Sequence, residues 1–255
     1  MSIELRIRKE LDNFLLNAEL NSENEICAIL GASGCGKSMT LRCMAVVETP
    51  DEVYIKINGR IVYDSEKKIN LPPQKRNVGM LFQNYALFPN MTVFDNILCG
   101  LEKEKDRTVK RRKTLETIER FRLEGFEKHL PHQLSGGQQQ RTALARMLVS
   151  EPEVILLDEP FSALDAFLRE KIVLETRSII EALDRDVILV THSRDEAYKV
   201  SKKLFIMHNG CMAGSGNTKE MFKNPGTAAG ARLTGCKNIA AAIKVSDQEV
   251  YVQDW

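Results

Sequence analysis

The stretch Gly31-Ala32-Ser33-Gly34-Cys35-Gly36-Lys37-Ser38 fits the pattern GxxxxGK[ST]. Residues 26 to 30 before it are continuously apolar, which predicts a strand buried on both faces, and a helix is predicted from about residue 37 to residue 46. A glycine-rich loop between such a strand and helix surrounds phosphate oxygens with backbone N–H groups, and the helix N-terminus adds its positive dipole. The pattern therefore predicts that Lys37 reaches the β and γ phosphates of a nucleotide and that Ser38 binds Mg²⁺.

Two carboxylates end a second apolar segment. Residues 154 to 157 predict a buried strand, and Asp158 and Glu159 follow it directly. At this place Asp158 can approach the metal, and Glu159 is then free to polarise the attacking water. Two acids at a strand end also occur on exposed sheet edges, but the loop at residues 31–38 favours the nucleotide site.

Length and composition allow one α/β domain with an inserted or appended subdomain in 255 residues. The 36 Lys and Arg nearly balance 35 Asp and Glu, so the net charge of +1 gives no reason to expect nucleic acid as a partner. The apolar runs are far shorter than the roughly 20 residues that span a bilayer. The charged N-terminus predicts no export signal, and six cysteines without a CxxC pair predict reduced thiols.

Short apolar segments alternate with helical ones, which predicts a mainly parallel core sheet with crossover helices. Residues 3–8 and 14–20 predict an N-terminal antiparallel β portion, and Asn58-Gly59 predicts a hairpin between strands at 53–57 and 60–63. A long helix is marked by apolar residues at helical spacing, and a strand at 187–190 follows it. These apolar residues are Leu168, Ile172, Ile179 and Leu183.

Residues 103–128 are charged and lack strand-like runs, and Leu115, Ile118 and Phe121 recur at helical spacing. They predict a small inserted helical subdomain. The basic run at residues 110–113 fits a solvated helix face or a nucleic-acid contact, and the glutamates around it favour the solvated face. A glycine-rich stretch from Gly210 to Gly235 is predicted to lead out of the main domain.

A second glycine-containing helix start narrows the class of NTPase. Leu134-Ser135-Gly136-Gly137-Gln138 precedes a predicted helix through Arg141, Leu144 and Met147, and such a start can bind an anion. One nucleotide does not need two such sites from the same chain, unless the second serves a neighbouring molecule. With this motif the sequence resembles the ATP-binding-cassette (ABC) ATPases over roughly residues 3 to 235, and the motifs occur in the order found in that family.

The resemblance implies roles for further residues. Gln83 matches the glutamine that senses Mg²⁺ and faces the membrane subunit, residues 162–165 match the loop that joins two ATP sites, and His192 matches the switch histidine at the γ phosphate. The expected catalytic residues are thus Lys37, Gln83, Glu159 and His192, and the expected Mg²⁺ ligands are Ser38, Gln83 and Asp158. Residues 31–38 and 135–138 are expected to bind ATP. Two interpretations of Phe14 are equally favoured: its ring stacks on adenine, or it is a core residue of a strand.

The resemblance also implies a fold, a P-loop NTPase of the ABC type, with the cassette at residues 1–235 and its helical subdomain at about 88–150. The alternating segment Val250-Tyr251-Val252 lies in a tail at 236–255, which resembles the opening of a C-terminal β regulatory domain cut short.

Residues 76–89 and 92–97 are similar to prokaryotic importer subunits, and the apolar segment from Tyr85 to Pro89 is expected to receive a helix of the membrane subunit.

The expected function is ATP hydrolysis by a homodimer that closes on ATP. It would work at the cytoplasmic face of the membrane with permease subunits and, indirectly, a solute-binding protein, but not with nucleic acid. Resemblance to molybdate, tungstate and sulfate importers suggests a small oxyanion as solute. The alternative is a soluble ABC ATPase of DNA repair or translation.

Overall fold

An 11-stranded mixed sheet forms the centre of the computed structural model, which describes residues 2–240, 242–246 and 249–252, without the side chains of residues 166 and 167. The strands are β1 (Ser2–Leu11), β2 (Phe14–Glu23), β3 (Ile26–Leu30), β4 (Glu52–Ile57), β5 (Arg60–Asp64), β6 (Ile69–Asn70), β7 (Val78–Leu81), β8 (Val154–Asp158), β9 (Asp186–Thr191), β10 (Lys203–His208) and β11 (Cys211–Asn217). A separate antiparallel pair is formed by β12 (Ala242–Lys244) and β13 (Val250–Val252).

Helices connect these strands. They are α1 (Lys37–Met44), α2 (Pro73–Arg76), α3 (Val93–Cys99), α4 (Arg107–Arg120), α5 (Gly136–Leu148), α6 (Ala166–Glu181), α7 (Arg194–Val200), α8 (Thr218–Lys223) and α9 (Ala228–Thr234), with a 3₁₀ turn at Pro131–Gln133.

The strand order is β6-β5-β4-β1-β2-β11-β10-β3-β9-β8-β7. Neighbours from β10 to β7 are parallel, whereas β2, β1, β4, β5 and β6 pair antiparallel. Strand β11 joins the two parts, because it runs antiparallel to β10 and parallel to β2. This arrangement confirms the predicted α/β fold with a parallel core and an N-terminal antiparallel portion.

Two apolar layers cover the parallel core, and this explains why β3, β8 and β9 are buried at every residue. In β8, Val154 and Leu156 point into the layer that contains α1, while Ile155 and Leu157 point into the layer that contains α5 and α6. Since neighbouring strands run the same way, their carboxyl ends meet at one edge of the sheet. That edge carries the predicted site residues of β3, β8 and β9.

The helical insertion lies between β7 and β8 and contains α3, α4 and α5. In α4 the predicted apolar face is partly wrong: Ile118 and Phe121 are buried, but Leu115 is 43% exposed. Thr114 takes the inward place instead, because residues four apart lie on one face of a helix and Thr114 precedes Ile118 by four. Within the basic run, Arg112 pairs with Glu116 and Lys113 with Glu151, as expected of a solvated face.

Two further expectations about element boundaries are wrong. Helix α1 ends at Met44 rather than Val46, and Val46 has a φ of 64°, which ends helical geometry. The stretch from Gly210 to Gly235 does not leave the main domain. It contains β11, α8 and α9, and β11 is an interior strand of the large sheet.

No helix among the described residues is long and apolar enough to cross a membrane. All six cysteines are free.

The guanidinium of Arg76 is buried, and within the part of the chain that the structure describes it has no carboxylate partner. It is fully buried, donates to the carbonyls of Leu71 and Met44 and to Asn70 Oδ1, and stacks over the ring of Tyr63 at 4.8 Å. Burial lowers the pKa of Arg76 to about 10, so the side chain stays charged at neutral pH. It therefore holds the end of α1 against the segment that leads into β7.

We predict that Arg76→Met destabilises the fold by about 3 kcal/mol, because the buried guanidinium and its three hydrogen bonds are lost, one of them to the buried carbonyl of Met44. Arg6 provides the matched control, since it also lies over a tyrosine ring, that of Tyr54 at 5.8 Å, but on the surface. Arg6→Met should cost less than about 1 kcal/mol. Urea unfolding measures both, and equal losses would contradict the role given to Arg76.

Candidate nucleotide-binding site

The phosphate loop, residues 31–38, is folded around its own lysine. Gly34 and Gly36 have φ values of 80° and 107°, which side chains rarely adopt. Lys37 is 3% exposed, and its Nζ donates to the carbonyls of Gly31 at 2.9 Å and Ala32 at 2.8 Å. Its ammonium is thus held at the centre of the loop, where phosphate oxygens can replace these carbonyls as acceptors.

Ser38 and Asp158 meet across the sheet edge, although they are 120 residues apart in sequence. Ser38 Oγ donates to Asp158 Oδ1 at 2.5 Å. Burial raises the pKa of the Asp158 carboxyl, and the hydrogen bond from Ser38 and the nearby charges of Arg42 and Lys37 act in the opposite direction. A hydroxyl and a carboxylate in contact, beside a loop for phosphates, are hard oxygen ligands of the kind that Mg²⁺ prefers.

Gln83 lines the same cleft as Asp158. This cleft, of about 620 Å³, is also lined by Arg42, Phe82 and Ser162. The structure thus brings all three predicted metal ligands to one region, with Ser38 bonded to Asp158 and Gln83 across the cleft. The described residues contain no cluster of three or more His, Cys, Asp or Glu that could hold a metal.

Glu159 and His192 are in contact at the ends of β8 and β9. Glu159 Oε2 lies 3.0 Å from His192 Nδ1, and the backbone N–H of Glu159 donates to the carbonyl of Val190 at 3.0 Å. Glu159 has a φ of 45°, a conformation that costs free energy in a residue with a side chain. Its side chain is 15% exposed and that of His192 is 51% exposed. The pair therefore stands at the mouth of the site.

The signature segment, residues 134–138, starts helix α5. Ser135 caps the helix: its Oγ accepts from the N–H of Gln138, and Gln138 Oε1 accepts from the N–H of Ser135 at 2.7 Å. Ser135 is exposed. None of the hydrogen bonds found for the described residues joins this segment to the phosphate loop of the same chain, as expected if it serves another molecule.

Phe14 packs against the phosphate loop. A Cβ on Gly36 would lie 3.1 Å from Phe14 Cζ, and the ring is half-buried against the apolar layer around α1. The ring thus supports the loop from the side of β2.

Three residues of this region were not predicted from the sequence. Thr191 donates to Glu196 Oε2 at 2.5 Å, and Arg169 Nη2 donates to the carbonyl of Leu164 at 2.8 Å. Burial raises the pKa of Glu196, whereas the hydrogen bond from Thr191 and the charge of Arg169 lower it. Arg169 lies on α6 and Glu196 on α7, and neither belongs to a motif. For Thr191, the only signal in the sequence is its place next to His192.

Comparison with known proteins identifies the family of this chain. Residues 16–162 match the family model described as ABC transporter. The chain belongs to the ABC transporter family. This assignment confirms the predicted ABC fold, the ATPase class and the use of ATP with Mg²⁺.

Two curated relatives of this ABC chain are both named spermidine/putrescine import ATP-binding protein PotA. The one from Clostridioides difficile (strain 630) is 39% identical over 94% of this chain and 67% of its own length. The one from Vibrio vulnificus (strain YJ016) is 40% identical over 89% of this chain and 59% of its own length. The chain thus spans roughly 60–70% of the length of the relatives it matches.

Among solved structures, the ABC cassette MJ0796 in a dimeric post-hydrolysis state bound to ADP and Pi is similar. Its TM-score is 0.71 with 29% sequence identity, and the match covers 85% of this chain and 98% of that one. A second dimeric structure of MJ0796 matches to the same extent.

Gly210 lies outside the phosphate loop but contacts it, and its position requires a glycine. Its N–H donates to the carbonyl of Cys35 at 3.1 Å and its φ is 78°, while a Cβ there would lie 1.9 Å from the backbone oxygen of Leu15. Gly59 has the same kind of φ, 77°, with open space around it.

We therefore predict that Gly210→Ala costs about 3 kcal/mol of stability and weakens nucleotide binding, because strain and a clash with backbone add together. Gly59→Ala should cost only about 1 kcal/mol and leave nucleotide binding unchanged. Thermal unfolding and titration with a fluorescent ATP analogue test this pair. Similar effects of the two substitutions would show that the clash at Leu15 is relieved without cost.

Proposed function

We propose that this chain is the ATP-hydrolysing subunit of an ABC importer and that two copies close on two ATP molecules. The observation that carries the proposal is the signature segment, a capped and exposed helix start that makes no hydrogen bond to the phosphate loop of its own chain. A twofold axis would place it on the nucleotide held by the phosphate loop of the other copy. The dimeric structures of the similar cassette MJ0796 support this arrangement.

This proposal assigns a role to each site residue. Lys37 and the backbone of residues 31–36 hold the phosphates. Ser38, Asp158 and Gln83 hold Mg²⁺, which when bound neutralises phosphate charge. Glu159 takes a proton from the attacking water, and His192, 3.0 Å away, fixes the Glu159 carboxylate and supports the γ phosphate. Residues 135–138 complete the site of the partner copy.

The membrane partner is proposed to dock beside Gln83. Tyr85, expected from the sequence to face that partner, is 4% exposed and belongs to the core, and burial raises its pKa to about 12. Phe88, in the same predicted segment, is 47% exposed, and two further exposed apolar residues are Met91 at 39% and Val47, which lines the cleft, at 53%. They suit a short apolar helix of a permease, so the chain would act at the cytoplasmic face of the membrane.

For the solute, the names of the relatives favour a polyamine. The oxyanion expected from sequence patterns is not supported, since the relatives listed above are named for spermidine and putrescine import. In this proposal the choice of solute would lie with the permease and a solute-binding protein.

The domain boundaries also remain proposals. Residues 1–235 would form the cassette, with a helical subdomain at about 88–150. The hairpin β12–β13 would begin a separate β unit, because its strands pair with each other and not with the large sheet. Ile243, Val250 and Tyr251 on it are 58–64% exposed.

We predict that Glu159→Gln binds ATP normally but lowers turnover by roughly 100-fold or more, since the amide keeps the size of the side chain and loses the base. The closed dimer should then accumulate with Mg-ATP. Gel filtration coupled to light scattering measures this, with ADP as the control nucleotide. A Glu159→Gln protein that stays monomeric at high concentration would count against the ATP-bridged dimer.

Adding Ser135→Arg to Glu159→Gln identifies the second half of the site. The arginine should crowd the γ phosphate of the partner copy, so the double variant binds ATP and fails to dimerise. If the double variant dimerises as well as Glu159→Gln, residues 134–138 do not contact the nucleotide of the partner copy.

The solute class is tested by uptake. Membrane vesicles that contain the chain with its cognate permease and binding protein should take up labelled spermidine or putrescine in the presence of ATP, and the Lys37→Ala chain should abolish this uptake. Labelled molybdate under the same conditions is the comparison. Uptake of molybdate without uptake of polyamines would reverse the assignment.

A further inference from the structure

The turn that carries His192 is built on a modified helix cap. Ser193 is the N-cap of α7, and its Oγ accepts from the N–H of Glu196 at 3.4 Å. In a capping box, the glutamate three residues after the cap accepts in return from the N–H of the cap residue. Here the N–H of Ser193 donates instead to Thr191 Oγ1 at 2.9 Å, and Thr191 Oγ1 donates to Glu196 Oε2 at 2.5 Å. The hydroxyl of Thr191 is thus inserted into the box.

The signature segment contains an ordinary capping box in the same chain. Ser135 Oγ accepts from the N–H of Gln138, and Gln138 Oε1 accepts directly from the N–H of Ser135 at 2.7 Å. That box joins residues of one helix start. The box at α7 also includes Thr191, the last residue of β9, so it joins the strand to the helix across His192.

The hydrogen bond between Thr191 and Glu196 is shielded from water. Thr191 is 1% exposed and Glu196 is 7% exposed. Because neither side chain can exchange its partner for bulk water, breaking this bond leaves a buried polar group unsatisfied. The bond therefore holds the end of β9 and the start of α7 in a fixed relation.

The imidazole of His192 receives little support from packing. Its side chain is 51% exposed, and its Nδ1 lies 3.0 Å from Glu159 Oε2. The position of the ring is therefore set by the contact with Glu159 and by the backbone on both sides of His192. That backbone is the part which Thr191 and Glu196 hold.

We propose that Thr191 and Glu196 are positioning residues for ATP hydrolysis. Their hydrogen bond fixes the backbone on both sides of His192 and so holds the imidazole against the carboxylate of Glu159. Both residues would act through His192 rather than on the nucleotide itself. The inference rests on the proposed function, in which Glu159 takes a proton from the attacking water and His192 fixes that carboxylate.

Substitutions at the two residues separate the hydrogen bond from the shape of the side chains. Thr191→Val keeps the branched shape and removes the hydroxyl, whereas Thr191→Ser keeps the hydroxyl. Glu196→Ala removes the acceptor, and Glu196→Gln keeps an acceptor on a side chain of the same size. Thr218→Val is the matched control, since Thr218 is 2% exposed and its Oγ1 lies 2.9 Å from Ser201 Oγ, at the other end of α7.

The first readout is the steady-state kinetics of ATP hydrolysis. We expect kcat to fall about tenfold in Thr191→Val and in Glu196→Ala, because a displaced His192 no longer orients Glu159. KM should change by less than about twofold, since the phosphate loop still holds the nucleotide. Thr191→Ser, Glu196→Gln and Thr218→Val should stay within about threefold of the parent kcat. The double variant Thr191→Val/Glu196→Ala should lose no more than either single variant, because both break the same bond.

The second readout is the pair of imidazole nitrogens of His192. NMR of protein with ¹⁵N-labelled histidine detects them, and His192→Ala assigns their signals. A change in the contact with Glu159 shifts these signals whether or not ATP is hydrolysed. We expect shifted signals in Thr191→Val and Glu196→Ala and the parent spectrum in Thr218→Val.

The two readouts separate this inference from the proposed function. A parent protein without ATPase activity, alone and with its permease, would overturn the proposed function, and the NMR spectra would still decide whether the hydrogen bond positions His192. Unshifted His192 signals or a parent-like kcat in Thr191→Val would overturn the inference. An equal loss of kcat in Thr191→Ser or Thr218→Val, or losses that follow the melting temperature, would also overturn it, because the substitutions would then act on stability alone.

Discussion

The parallel register of β3, β9 and β8 is the constraint on which the rest of the site depends. Leu30 lies beside Thr191, and Val190 lies beside Asp158, so the three strands end at one level. The phosphate loop, the turn that carries His192, and the acids Asp158 and Glu159 therefore all begin at the same edge of the sheet. Because every residue of these strands is buried, a slip in register would expose apolar side chains or bury polar ones.

A strained backbone and a buried carboxylate both occur at that edge. Glu159 has a left-handed backbone, and the N–H that it donates to Val190 holds it there. Next to it, Asp158 is 1% exposed and is stabilised by Ser38 and by nearby cations rather than by water. The two acids are adjacent in sequence but differ in exposure, which suits the proposed roles of Asp158 toward a metal and of Glu159 toward a water molecule.

The second half of the ATP site depends on a different contact. The position of the signature segment is set by packing of Gly136 and Gly137 on Leu164 and on α6. Any side chain at these glycines would meet apolar atoms at 3.1–3.3 Å. This close contact packs the start of α5 against α6 and against the turn at residues 162–165.

Local patterns in the sequence determined the parallel core, the antiparallel N-terminal portion, the phosphate loop and the acids after β8, because strands buried on both faces and glycine-rich turns leave clear local signals. They also indicated the signature segment, whose helix start needs only its own residues for capping. Tertiary structure alone decided that Leu115 faces solvent, that Tyr85 is core and that the stretch after Gly210 is an interior strand. It also decided that Glu196 accepts a hydrogen bond from Thr191, next to His192. These features depend on which elements pack together, and a sequence pattern records the period of a segment but not the identity of its neighbour.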